Sequence, residues 1–242
     1  RPLHAARTRR DDGYWAMTAV TFRALPAKCG DCLVIEYGDA GERPYRILID
    51  GGLKGSYDEG LGRYLKESAS TGQPTEVDIV VVTHIDLDHI EGVIEALEQK
   101  HLVTENIWFN GRDQLDELIN PNPTTRGPRQ GDALDELIPD GTRNRVVDGQ
   151  AICVPESGAV ELDGIPGPAR CTLLSPSRER LERLLKKWPA PTRGSALADL
   201  FEAFDDEVDA DEQTTRGPGV FGKDNSAANG SSIAFLLEID DV

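Results

Sequence analysis

Val80-Val81-Val82-Thr83-His84-Ile85-Asp86-Leu87-Asp88-His89-Ile90-Glu91-Gly92 decides how this chain is read. The β-branched run from Ile79 to Val82 has the signature of a fully buried strand. It runs straight into His84, Asp86, Asp88 and His89, four side chains able to ligate a metal within six residues. Apolar Ile85 and Leu87 alternate with them, which predicts that His84, Asp86 and Asp88 face one side while the other side anchors in the core. Imidazole and carboxylate are the donors that zinc and its first-row relatives take. A calcium loop does not fit: counted from Asp86, the glycine position holds Glu91 and the twelfth position Leu97 instead of Glu. Helix capping needs one such residue, so four exceed what a cap explains.

The rest of the chain sets bounds. With 242 residues it has length enough for one domain with a sizeable core. No apolar run nears the ~20 residues that cross a bilayer, so no membrane span is expected. A net charge of −17 repels polyanions at long range and weighs against a broad nucleic-acid surface. A phosphodiester substrate stays open, because bound cations reverse a local field. Cys29 and Cys32 form a CxxC with no second pair to complete a zinc ribbon. They are read as buried reduced thiols, which suits a cytoplasmic location.

Along the chain, strands are expected at 18–25, 33–37, 45–49, 79–82, 107–109, 145–154, 170–174 and 233–237. Helices are expected near 57–68, 90–100, 113–119, 132–138, 177–188 and 195–208. Residues 1–16 hold four arginines without the apolar centre of a signal peptide; they are expected to form a disordered upstream extension, with Met17 as the natural start. Residues 17–242 are read as one domain with surface excursions at 112–144 and 189–228. His101, closing the helix after the ligand cluster, reads as an exposed helix-terminal cation. The basic cluster Arg178, Arg180, Arg183, Lys186 and Lys187 reads as a solvated helix face.

Thr83-His84-Ile85-Asp86-Leu87-Asp88-His89 resembles the signature loop of the metallo-β-lactamase superfamily, in its His-x-Asp-x-Asp-His variant. That variant typifies a subgroup represented by the soluble domain of the competence DNA-channel protein ComEC. Cys29-Gly30-Asp31-Cys32 looks like the subgroup's Gly-Asp strand opening, and Leu48-Ile49-Asp50-Gly51-Gly52 like its Asp-Gly-Gly turn. Asn229-Gly230-Ser231-Ser232, before an apolar strand, fits a fourth and weaker match.

The resemblance implies an α/β fold, a four-layer αββα sandwich of two mixed sheets with helices outside, here C-terminally truncated. It implies metal ligation by His84, Asp86, Asp88 and His89, with Asp88 also the catalytic general base. Asp50 and Thr83 would stand behind the ligands, and Asn229 and Asn110 are candidates for a further ligand or a substrate contact. Asp224 and Asn225 are further oxygen donors, since no downstream His exists to complete the first site. The expected cofactors are two divalent ions, zinc or manganese, activating water as a bridging hydroxide. Glu91, in place of the first of two glycines after the loop, predicts an altered local backbone. The expected activity is metal-dependent hydrolysis of a phosphodiester, from a small molecule or a nucleic acid. The alternatives are hydrolysis of a small ester, thioester or lactone, and a non-catalytic module with a degenerate site.

Overall fold

The structure, a computed structural model, describes residues 4–9, 15–39, 41–119, 133–188 and 226–239. The expected helix at 195–208, Asp224 and Asn225 lie outside the described residues. The first half of the chain runs β1 (His4–Arg9), β2 (Trp15–Ala24), β3 (Leu33–Asp39), β4 (Tyr45–Ile49), α1 (Leu61–Ser68), β5 (Thr75–Glu76), β6 (Ile79–Val81), α2 (Leu87–Glu98), β7 (Leu102–Val103) and β8 (Ile107–Trp108). There follow α3 (Arg112–Ile119), α4 (Ala133–Leu137), β9 (Val160–Leu162), β10 (Ala169–Ser175), α5 (Arg178–Lys187), a single turn α6 (Ala227–Gly230) and β11 (Ala234–Ile239).

Six strands form one mixed sheet in the order β1-β2-β3-β4-β6-β8, antiparallel from β1 to β4 and parallel from β4 to β8. A second, antiparallel sheet has the order β11-β10-β9. The strand period of two splits β6 between two cores. Ile79 and Val81 pack with Tyr37, Ile47 and Trp108 against Leu162, Cys171 and Leu173 of the second sheet. Val80 and Val82 pack with Val34 and Leu48 against Leu61 and Leu65 of α1 and Val93 of α2. A strand apolar on both faces is what a central parallel strand requires.

Helices therefore lie on one face of the six-stranded sheet and the second sheet on the other. Three of the four expected layers fall within the described residues. Leu174 and Leu236, on the second sheet, are exposed among those residues.

Several boundaries differ from the sequence reading. His4–Arg9 pairs antiparallel with β2, so this part of the upstream extension is a strand at the sheet edge. Its run of polar and charged residues lacks the alternation that would mark it, and the open β2 edge supplies the backbone partner. The strand expected at 145–154 is absent. Asn144 and Asp148 both take left-handed backbone around a short 3-10 turn, Arg145–Val147, which breaks extended pairing. The two-residue strands β5 and β7 and the three-residue β9 are too short for period counting.

Candidate metal centre

The polypeptide turns sharply twice at the carboxyl ends of β4 and β6. Asp50 follows β4 in the left-handed region at φ +57°, which Asp tolerates better than most residues, and its amide N–H donates to Val81 O. The following Gly51 sits against α2, where a Cβ would lie 2.4 Å from the backbone nitrogen of Val93. On the helix side, a Cβ on Gly92 would lie 1.9 Å from Gly51 O. Gly51 N–H donates to His89 O and Gly92 N–H to Gly52 O, so turn and helix are joined backbone to backbone. Glu91 fits without disturbing this contact, accepting the Lys54 amide at 2.8 Å. The close approach is made by Gly92, the residue after Glu91.

This close approach places Asp50 behind the ligand cluster. The carboxylate is 1% exposed and accepts three hydrogen bonds. Oδ1 accepts the Thr83 amide at 2.7 Å; Oδ2 accepts the Thr83 hydroxyl at 2.7 Å and His89 Nδ1 at 2.8 Å. Donation from Nδ1 leaves Nε2 of neutral His89 as a lone pair. The Thr83 hydroxyl has one proton and gives it to Asp50, so towards His84 Nδ1, 2.9 Å away, it acts as acceptor. His84 thus carries its proton on Nδ1 as well. One carboxylate fixes both imidazoles with their Nε2 atoms free to ligate.

His84 is 7% exposed, and its Nε2 is buried without a hydrogen-bond partner. A buried polar atom left unpaired is costly, which marks it as a place for a ligand. The two imidazole rings lie with centroids 4.0 Å apart. Asp86 Oδ2 is 3.3 Å from His84 Nε2, and Asp88 Oδ1 is 3.7 Å from His89 Nε2. Two His–Asp pairs result. Among the described residues no three His, Cys, Asp or Glu side chains already stand as a closed metal-holding group. The donor types and the orphaned Nε2 fit a first-row divalent ion, while the spacing brings the donors together only in pairs.

The strand alternation expected through Asp88 ends earlier, because α2 begins at Leu87. Asp86 takes the position before the helix, but its side chain makes no capping bond, and neither does that of Asp88 in the first turn. Capping therefore does not account for either carboxylate. Burial works against a charged His89, but its bond to Asp50 and the nearby charges of Asp50, Asp88 and Asp31 outweigh this and raise its pKa.

Two neighbours were not assigned a role from sequence. Ser232, at the entrance to β11, brings its hydroxyl 3.2 Å from His84 Nδ1, while Ile233 N–H donates to Thr83 O at 2.9 Å. The Asn-x-x-Ser pattern marks this stretch, and only the fold shows that it meets the ligand loop. Asp31 lies close enough to act on His89 because Gly30 packs directly on Asp88, where a Cβ would be 2.0 Å from the carbonyl oxygen.

Of the remaining candidates, Asn229 is exposed on α6, three residues before Ser232. Asn110 is engaged elsewhere, its amide donating to Ile152 O and accepting from Ile152 N–H. That pairing gives it a scaffold role in place of the ligand or substrate contact expected of it. His101 is not a free helix-end cation, since its Nδ1 is 2.7 Å from the Tyr57 hydroxyl and the rings stack. All four cysteines are free thiols; Cys32 is buried as expected, and Cys29 is exposed. Burial, then Asp50 and Asp31, push the Cys32 thiol up to about 12, which keeps the free thiol protonated at neutral pH.

No helix among the described residues is long and apolar enough to cross a membrane. No curated protein matches this chain. The mixed α/β architecture, with its sheets and flanking helices, is consistent with the metallo-β-lactamase fold. Residues 30–148, which include Asp31, Asp50, Thr83 and all four candidate ligands, match the family model of the metallo-beta-lactamase superfamily.

Proposed function

We propose that this chain is a metal-dependent hydrolase of the metallo-β-lactamase superfamily acting on a phosphodiester. The observation that carries the reading is the buried, unpartnered Nε2 of His84, held by Thr83 beside a second imidazole fixed in the same tautomer. The superfamily match over residues 30–148 supports the reaction class. His84 and Asp86 would hold one divalent ion, zinc or manganese, and Asp88 and His89 a second. Ions held there supply Lewis acidity and a water of lowered pKa.

The other parts of the reaction fall to the chain's own residues. Asp50 and Thr83 keep both imidazoles from rotating or changing tautomer. Asp88, in the first turn of α2, would take the proton of the attacking water. Asn229, on the single turn that leads to Ser232, would contact substrate. Asp86, where the superfamily more often has His, makes the ligand set harder and more anionic. This supports the ComEC-type subgroup, manganese alongside zinc, and phosphate oxygens as the atoms recognised.

A second reading, hydrolysis of a small ester or thioester, draws support from the net charge of −17, which repels extended polyanions. The test is turnover of bis(p-nitrophenyl) phosphate and p-nitrophenyl acetate by protein supplied with zinc or manganese. Phosphodiester turnover that disappears in Asp88→Ala is the expected result. Acetate turnover alone would replace the substrate class, and a metal-loaded protein inert to both would favour a binding module.

A further inference from the structure

The chain returns to the ligand loop at Asn229-Gly230-Ser231-Ser232-Ile233, between α6 and β11. Three bonds hold this turn. The Ser226 hydroxyl accepts the Asn229 amide at 3.3 Å, the Ser231 hydroxyl donates to Ala228 O at 2.7 Å, and Arg180 of α5 donates to Gly230 O at 3.0 Å. Just beyond it, Ile233 is buried between the sheets in one core with Val81 and Trp108. Its N–H donates to Thr83 O at 2.9 Å, so the second sheet is fixed to the backbone next to His84.

Ser232, between these anchors, brings its hydroxyl 3.2 Å from His84 Nδ1. Nδ1 thus faces two hydroxyl oxygens, since that of Thr83 is 2.9 Å away. Thr83 gives its own proton to Asp50 and can only accept from the ring. Were Ser232 to donate instead, Nδ1 would carry a lone pair and face the Thr83 oxygen with no proton between them. Both oxygens therefore accept from one shared Nδ1–H, which puts the ring's lone pair on Nε2, the buried atom without a partner. Thr83 ties the ring to β4 through Asp50, and Ser232 ties it to the other sheet. Anchors from two sheets hold the ring against tilting about either one.

We propose that Ser232 is a positioning residue for the metal centre: by sharing the His84 Nδ1 proton it aims Nε2 at the ion. The inference rests on the metal-centre reading above. It adds that β11, through a residue 148 positions away in sequence, sets the affinity for the ion held by His84. Partners behind a metal-bound imidazole commonly change affinity by roughly ten- to a hundredfold.

The test compares the parent with Ser232→Ala, Ser232→Thr and Ser231→Ala in two readouts. Zinc affinity is measured by competition with a chromophoric chelator. The His84 tautomer is read from imidazole nitrogen chemical shifts of the metal-free proteins. The expected parent carries its proton on Nδ1. Ser232→Ala should lower the Nδ1–H population and bind zinc about tenfold more weakly, with the metal-free unfolding temperature unchanged, because the bond from Ile233 to Thr83 remains. Ser232→Thr, which keeps the hydroxyl, should restore both. Ser231→Ala, which loosens the turn without touching the ring, should bind zinc like the parent. A proton on Nε2 in the parent overturns the proposal, as does parental affinity in Ser232→Ala or equal weakening by both alanine variants. A parent that binds no zinc refutes the metal-centre reading itself, and a fall in Nδ1–H in Ser232→Ala would still support the bond assigned to Ser232.

Discussion

The two ends of β6 and β8 gather carboxylates in opposite ways. At the carboxyl ends, Asp50 is buried and saturated with donors, and through them it governs two imidazoles. At the amino ends, the Asp148 and Asp163 side chains are exposed and unpaired among the described residues, on the rim of an open groove. The first arrangement stores orientation in the protein itself; the second leaves its charge to water and mobile counter-ions. Deleting a carboxylate should therefore have opposite consequences at the two ends.

The largest effect is expected for Asp50→Ala. It would strand the Thr83 amide, the Thr83 hydroxyl and His89 Nδ1 in a buried site, costing about 4 kcal/mol. Chemical denaturation would measure it, and a loss small enough for a surface carboxylate would break the distinction. Next comes Gly92→Ala. Its methyl would have to displace the Gly51 carbonyl, so about 3 kcal/mol should be lost even though no ligand is touched. A well-folded Gly92→Ala protein that binds metal normally would show that the turn and helix can separate without moving the ligands.

Glu36→Gln is expected to cost about 2 kcal/mol at neutral pH. Burial opposes ionisation of this group, but bonds from Arg23, Arg46 and Tyr64 prevail and hold its pKa below the ordinary value near 4.5. A carboxylate lowered in the folded state contributes stability above its unfolded pKa and loses it as pH falls through the folded value. The parent should therefore lose stability faster than Glu36→Gln below about pH 4.5, and parallel acid limbs would contradict the assignment. The smallest effect belongs to Asp148→Asn/Asp163→Asn. Removing two unpaired like charges should leave Tm unchanged or slightly raised at low salt, and a marked fall would mean that these carboxylates are already satisfied.

Much of the ligand end was legible because strand period and residue chemistry coincide there. Ile79 to Val82 read as a doubly buried strand, and four candidate donors crowded at its end marked the loop that the fold packs against Asp50. Asp50-Gly51-Gly52 was readable as a turn, although its contact with Gly92 depends on how α2 packs. Ser232 was out of reach, lying 148 residues from the histidine that it meets. Asn110 misled because Asn before Gly is polar and turn-like in sequence, whereas its amide is consumed by Ile152. The groove at the amino ends left no mark at all. Its acidic residues come from four separate segments, and each alone looks like an ordinary solvated charge.

Metal content by elemental analysis, for the parent chain and for Asp88→Ala/His89→Ala, bears most directly on the ligand loop. The expected result is near-stoichiometric zinc or manganese in the parent, absent from a double variant that remains folded. Two folded proteins without metal after exposure to both ions would contradict it. The unpartnered Nε2 of His84 would then be an unsatisfied core atom, and the hydrolase reading would fall with it.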